Sequence, residues 1–414
     1  MPHTEERLHL TLDDQIATRY LPVPFDVPPG APSVSVQLSY DTSAGVIDLG
    51  CEGAAGWRGW SGGARDRFTI TAEAATPGYL PGELEPGTWQ VILGLHKVPA
   101  TGLDVRLRIS TPAVEQPETE REAPAQPRQL RGSDRNLPAP AGLRWYAGDF
   151  HAHTVHSDGT LSISEPAATA VRAGLDFLAV TDHNTTSHHA HLPRVGAAHG
   201  ITLLPGQEVT TARGHANAFG DIGWIDFREP ADTWAAHVAR RGGVLSINHP
   251  IDGDCAWQHP LTTMPAALEH WHISWFRDLT STAPWAFHQR WDPEAVLLGG
   301  SDFHSPDQGY TLGTPTTWVA AEDDSPEAIL AGVQAGRTAI SVGVGEDRVP
   351  RPLSTPILLR VEEDLIAIDA EGLVLVDAEG RRRRITKAQE RLPADWGSGR
   401  LHLQDATRRV LAIA

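Results

Sequence analysis

Lysine is almost missing from this chain. Only Lys97 and Lys387 occur in 414 residues, so the long stretch between them holds no amine for Schiff-base chemistry. Cysteine is as scarce. Cys51 and Cys255 stand far apart, which leaves neither a disulfide framework nor a cysteine-built zinc site to expect, and both read as lone buried thiols. Basic charge is also short, with 34 Lys and Arg against 52 Asp and Glu and a formal net charge of -18. That deficit excludes a protein that coats phosphate backbones, though not one that holds a small anionic group at a bound metal. Apolar runs long enough to cross a bilayer are absent. The first residues, MPHTEERLHLTLDD, lack the apolar stretch of a secretory signal. These absences together predict a cytoplasmic protein with a small-molecule substrate, no nucleic acid and no membrane partner. They leave the oligomeric state open.

What is present fits a globular chain of two or three domains, 40% hydrophobic by residue. Residues 1–110 read as short strands, among them SVSVQLSY (33–40), RFTITA (67–72), TWQVILGL (88–95) and LDVRLRIS (103–110), broken by Gly/Pro turns. That pattern predicts a β-sandwich or jelly roll. Residues 111–142 are rich in Pro, Glu, Arg and Gln and poor in apolar side chains, the composition of an exposed linker. From residue 143 to 343 strand and helix patterns alternate. Strands are expected over 145–151, 176–181, 201–205, 216–219, 244–248, 269–273, 295–299 and 316–320. Helices are expected over 164–173, with Ser164 as N-cap, 232–241 and 325–335. Such alternation predicts an α/β barrel or open sheet. Residues 344–414 return to β character and are expected to pack on the N-terminal sandwich. Their Arg381–Arg384 run reads as a solvated strand end.

Histidine placement carries the chemistry. Sixteen of the twenty histidines lie between His151 and His304. HAHTVHSDG supplies His151, His153, His156 and Asp158; VTDHN supplies Asp182 and His183. PGQEV supplies Glu208, RGHANAFG supplies Arg213 and His215, SINHP supplies His249, and GGSDFHS supplies Asp302 and His304. Each group stands at or beside an expected strand end, where an α/β barrel builds its functional face. Residues at i and i+2 of a strand share a face, so His151 and His153 can aim at one point, with Asp149 placed to orient a ligand from behind. Nitrogen and oxygen donors of this kind suit Zn²⁺, Mn²⁺ or Fe²⁺ better than Ca²⁺ or Mg²⁺, and more than four donors imply two or three ions. Amidohydrolase barrels also carry H-x-H after the first strand but commonly bridge their metals with a carboxylated lysine. None is to be had here, and Glu208 is the natural substitute.

HAHTVHSDG, TDHN, GQEV, NHP and SDFH, in this order over about 145–340, resemble the polymerase and histidinol phosphatase (PHP) domain. The resemblance implies an α/β fold: a distorted (β/α)7 barrel here preceded by a sandwich and followed by a small β segment. The stretches RGWSGGARDRFTI and ATPGYLPG ahead of it look like the CehA/McbA branch of metallohydrolases. Carried over by motif, the resemblance implies one ion on His151, His153, Glu208 and Asp302. A second would sit on Asp158, His183 and His304, with Glu208 as bridge, and a third on Glu208, His215 and His249. The implied mechanism is hydrolysis by a hydroxide shared between ions, with a non-ligand side chain such as Asp182 or His156 as proton donor and Arg213 as a hold for an anionic group. His188, His189 and His191 are further donor candidates. A phosphoesterase acting on a small phosphorylated substrate comes first, and a carbamate, ester or amide hydrolase second. A non-catalytic metal-containing barrel comes third. The lysine deficit leans against a highly charged nucleotide. Five tryptophans between Trp257 and Trp291 read as core or as the roof of an apolar pocket.

Overall fold

The structure is a computed structural model that describes residues 3–278, 280–344, 351, 353–392, 396 and 399–414. Its contacts divide the chain into two compact units. The first comprises Met1–Arg121 with two later excursions, Thr154–Ser162 and Asp182–Ala190.

Eight strands build the first unit: β1 (His3–Leu10), β2 (Tyr20–Val27), β3 (Ser33–Tyr40), β4 (Val46–Gly53), β5 (Gly56–Gly62), β6 (Arg67–Thr71), β7 (Gly87–Lys97) and β8 (Leu103–Ser110). They form two antiparallel sheets, ordered β1-β8-β3-β6 and β2-β7-β4-β5. The alternation in LDVRLRIS explains β8: Leu103, Val105, Leu107 and Ile109 are buried while the polar residues between them are exposed. Pro22 and Pro24 lie in β2, a strand at the sheet edge with only β7 beside it, where a missing N–H costs no ladder bond. Both sheets contribute to one apolar core that includes Val36, Leu38, Phe68, Trp89 and Leu93.

The second unit comprises Glu122–His153, Ile163–Thr181 and His191–Ala414. It is mixed α/β. Its strands are β9 (Arg144–Asp149), β10 (Phe177–Val180), β11 (Thr202–Thr211), β12 (Gly214–Phe219), β13 (Val244–Ile247), β14 (Ala267–His272), β15 (Val296–Gly300), β16 (Thr316–Ala321) and β17 (Thr338–Ser341). Sheet order runs β15-β14-β13-β12-β11-β10-β9-β16-β17. Strands β9, β10 and β11 are parallel, as are β13, β14 and β15, but β12 is antiparallel to both neighbours. β11 and β12 form a hairpin, which is why the sheet is mixed and not uniformly parallel. Between β15 and β16 side chains take over from a ladder: Gly299 N donates to Thr317 Oγ1, and that hydroxyl donates to Gly299 O.

Helices α2 (Ser164–Ala173), α3 (Leu192–His199), α4 (Ala231–Arg240), α5 (Ala283–Trp291) and α6 (Pro326–Gln334) connect the strands, following α1 (Leu12–Ala17) of the first unit. Ser164 is not the N-cap of α2. Ile163 takes that place, and the Ser164 hydroxyl accepts from Ala123 N and faces His199 Nε2, both at 2.9 Å. Residues 122–142 are also held where the buried Asp176 carboxylate accepts from Ser133 N and Ser133 Oγ, and from Ala147 N of β9. The described C-terminal strands form ladders with one another and with β17, and share none with the two sandwich sheets. Val410–Ile413 pairs with β17 and so lengthens the second unit's sheet, because the edge of β17 offers a free ladder. Arg382–Arg384 is a short strand there, with Arg382 and Arg384 exposed. Among the described residues no helix is long and apolar enough to cross a membrane.

Candidate metal centre

The H-x-H and D-x-H motifs are set against each other by backbone. β9 ends at Asp149, so His151 and His153 lie just past the strand and not on it. An isolated parallel bridge joins Ala152 to Phe303, with His153 N donating to Phe303 O at 2.8 Å. Ala152 and Phe303 are buried, so the residues flanking each, His151 with His153 and Asp302 with His304, fall on the opposite side. Asp302 Oδ1 lies 3.0 Å from His153 Nε2 and 3.2 Å from His151 Nε2. The His153 and His304 rings stack with centroids 4.1 Å apart.

The β11–β12 hairpin delivers the next donors. Glu208 pairs with Asn217, and Thr210 with His215, so Glu208 and His215 stand diagonally on one face. Glu208 Oε1 lies 3.1 Å from His215 Nδ1, 3.2 Å from His249 Nε2 and 3.3 Å from His151 Nε2, and Oε2 lies 3.5 Å from His153 Nε2. One carboxylate thus stands among four imidazoles, fully buried.

Several positioning residues escaped the sequence reading. Glu269 Oε1 accepts from His151 Nδ1 at 2.9 Å and its Oε2 accepts from His249 N at 2.8 Å. The approach needs Gly300, since a Cβ there would sit 2.3 Å from Glu269 Oε1. Ser274 N donates to His272 Nδ1, so His272 Nε2 carries the proton it offers Asp302 Oδ2 at 3.1 Å. Asn248 Nδ2 donates to Glu208 Oε1 at 2.8 Å. Only Asn248 had a signal, as the first residue of NHP. Asp149, expected to orient a ligand ring, instead accepts the backbone amides of His151, Ser301 and Gly313. It braces the two strand ends, and burial raises its carboxyl to about 6.

Electrostatics fit a cation. Burial pulls His151 down, but Asp302, Glu269 and Glu208 outweigh it and hold the ring well above its usual range. Asp302 is raised by burial and lowered further by His151, His153 and His272, ending well below a normal carboxyl. Since Glu269 can only accept, His151 Nδ1 keeps its proton, and a cation that displaces the Nε2 proton would find that nitrogen's lone pair beside two carboxylate oxygens. His151 Nε2 makes no hydrogen bond and His249 Nδ1 has no partner, although both are buried. A positive ion among these atoms relieves the repulsion and satisfies the orphaned nitrogens. His249 and Asp302 hold φ of +26° and +49°, conformations that cost non-glycine residues about 1–3 kcal/mol and gather at functional sites.

The remaining candidates lie as follows. Asp158 and His183 form a pair in the first unit, Nε2 to Oδ1 3.5 Å. There Asp182 is buried and accepts from Thr154 N, Thr154 Oγ1 and Ser157 Oγ. His156 is held by Glu120 at 2.9 Å and Ser187 at 2.7 Å, and His188 Nδ1 lies 3.4 Å from Asp182. Arg213, in the hairpin turn of the second unit, is exposed and donates to Gln258 O. His304 Nδ1 donates to Asp302 O at 2.8 Å.

A cavity of about 160 Å³ opens beside His249, Glu269 and His272, walled by Ile251, Asp252, His270, Trp275, Asp278 and Phe287 among others. No lysine or arginine lines it among the described residues. Of the five tryptophans, Trp271 is core and Trp275 is a cavity wall.

No protein-family model matches the chain, and no curated protein does. Among solved structures it is similar to a two-domain protein from Bacteroides vulgatus described as containing a predicted PHP-like metal-dependent phosphoesterase. Identity is 17% over 71% of this chain and 98% of that one, with a TM-score of 0.39. A proposed metal-dependent phosphoesterase from Bifidobacterium adolescentis is 19% identical over 40% of this chain and 90% of its own, with a TM-score of 0.27. An amidohydrolase from Chromobacterium violaceum, with sulfate bound and no metal, is 20% identical over 45% of this chain and 96% of its own, with a TM-score of 0.29. These superpositions are loose, so the chemistry of the site has to come from its own side chains.

Proposed function

We propose that the chain is a metal-dependent hydrolase whose active centre is the cluster around Glu208 and Asp302. One observation carries this reading: His151, its Nδ1 proton committed to Glu269, faces Glu208 and Asp302 at 3.3 and 3.2 Å inside a buried site. His151, His153, Glu208 and Asp302 would hold one divalent ion, and Glu208, His215 and His249 another. Zn²⁺, Mn²⁺ or Fe²⁺ suits these donors. Such ions, when bound, supply Lewis acidity and a water acidic enough to ionise near neutral pH. The chain's own contribution is orientation. Glu269 fixes the His151 tautomer, His272 holds Asp302 Oδ2 so that Oδ1 stays turned to the imidazoles, and Asn248 anchors Glu208.

The order of the five motifs favours a phosphoester of a small substrate. The cavity favours a second reading, an uncharged ester, carbamate or amide as in the CehA/McbA branch. Its apolar walls and its three carboxylates, Asp252, Glu269 and Asp278, disfavour a phosphate monoester that extends into it.

His153→Ala and Asp302→Ala are each expected to lose bound metal and hydrolysis while the fold survives by circular dichroism. Full activity in either variant would overturn the assignment. Assaying p-nitrophenyl phosphate beside 1-naphthyl carbamates and esters separates the two bond classes. Turnover of phosphate alone removes the second reading, and turnover of the uncharged substrates alone removes the first. Metal binding with no turnover of any would point to a non-catalytic protein.

A further inference from the structure

Cys255 entered as a lone thiol, yet the fold carries it to the candidate centre. The loop after β13 turns back at His249: Asp252 N donates to His249 O, and Cys255 N to Asp252 O. It then crosses the tip of the β11–β12 hairpin, where Gln258 N donates to Arg213 O at 2.7 Å. Gly214 permits the crossing, because a Cβ at that position would lie 2.8 Å from Trp257 Cα. At this far end the hairpin tip holds the loop through Gln258, whose carbonyl also accepts from Arg213 Nη2 at 2.7 Å. As a result Cys255 Sγ and one ring nitrogen each of His215 and His249 all lie within 4.8 Å of one another. One further feature marks the spot as a ligand site: His249 Nδ1 is buried with no hydrogen-bond partner, while Nε2 of the same ring faces Glu208 Oε1 at 3.2 Å.

We infer that Cys255 is a thiolate ligand of a mixed site with His215 and His249, beside Glu208, and that this site selects zinc. The inference rests on the metal-dependent reading above and adds a donor to it. A thiolate and two imidazoles are three donors of the softness Zn²⁺ takes in tetrahedral sites, with the fourth place left to water or substrate, whereas Mg²⁺ and Mn²⁺ favour oxygen. On binding, the sulfur–hydrogen bond of Cys255 is lost, a sulfur–zinc bond forms and the proton leaves to solvent. A cysteine count excludes a site built from several thiolates. It does not exclude one thiolate among nitrogen donors.

Cobalt(II) tests this without any assay of activity, because a thiolate on Co²⁺ gives an intense near-ultraviolet charge-transfer band that nitrogen and oxygen ligands do not. The full-length apoprotein, titrated with Co²⁺, is expected to show the band. Cys255→Ser should abolish it and bind one equivalent of zinc fewer, or bind that equivalent at least tenfold more weakly. His249→Ala, with the thiol intact, should lose it too. Cobalt bound with visible d–d absorption but no thiolate band would refute the Cys255 assignment and leave the metal-dependent reading standing. So would a band that survives in Cys255→Ser. A protein that takes up no cobalt or zinc at all would overturn both.

Discussion

The eight-stranded sandwich and the sheet that carries the histidines use their interiors in opposite ways. The sandwich core is apolar throughout. Arg58, a buried charge on its strands, is answered by the carbonyls of Leu80, Gly82 and Glu83 and lies over the Trp89 ring. The second unit instead buries His151, His153, Glu208, His249, Glu269 and His272 within one small region. Burying charge that is not paired or liganded costs several kcal/mol per ion, so a polypeptide optimised for stability alone would not assemble this cluster. The sandwich is explained by its residues; the second region holds buried donors that could bind cations, which the proposed function supplies.

The sharpest way to break that contrast is to remove the ions. A chelator is expected to abolish hydrolysis. It should also lower the melting transition of the second unit, since ligand at a hundredfold excess over Kd contributes about 2.7 kcal/mol. The transition of the sandwich should stay in place, and calorimetry with and without chelator reads both. Equal shifts in the two would mean that the metals brace the whole chain. Next in size, Trp89→Ala, which empties a fully buried position of the sandwich, should cost about 3–5 kcal/mol in urea denaturation while metal content per folded chain is unchanged. A smaller effect is expected of Glu269→Gln, which keeps volume but weakens the hold on His151. Metal affinity should fall by about 10- to 100-fold in competition titration against a chromophoric chelator, with little loss of melting temperature in the metal-free protein. An unchanged affinity would reduce Glu269 to a structural residue. Least of all, Arg7→Ala removes a surface pair with Glu5 at 2.7 Å and should move stability by no more than about 0.5 kcal/mol.

Reading the chain by pattern succeeded where structure is local. β3, β8 and α2 begin and end where alternation and helical spacing put them. Pattern failed where a neighbour decided. Ser164 lost the cap because Ile163 takes the cap position and Ala123 and His199 take the hydroxyl. α3, α5 and β17 went unpredicted because their apolar stripes are short and become legible only against the sheet they cover. Asp149 was credited with orienting a ring, a task that falls to Glu269 from 118 residues away.

The candidate donors His151, His153, Glu208 and Asp302 could be named from the sequence alone, whereas Cys255 could not. Histidine and carboxylate pairs spaced i, i+2 at strand ends, with no lysine to bridge metals, already named the chemistry. The tertiary structure decided which donors meet. The Ala152–Phe303 bridge, the diagonal placement of Glu208 and His215, and the loop that brings Cys255 to His249 all depend on register between segments distant in the chain. Register is set by long-range backbone hydrogen bonding and core packing, which leave no trace at the positions they bring together.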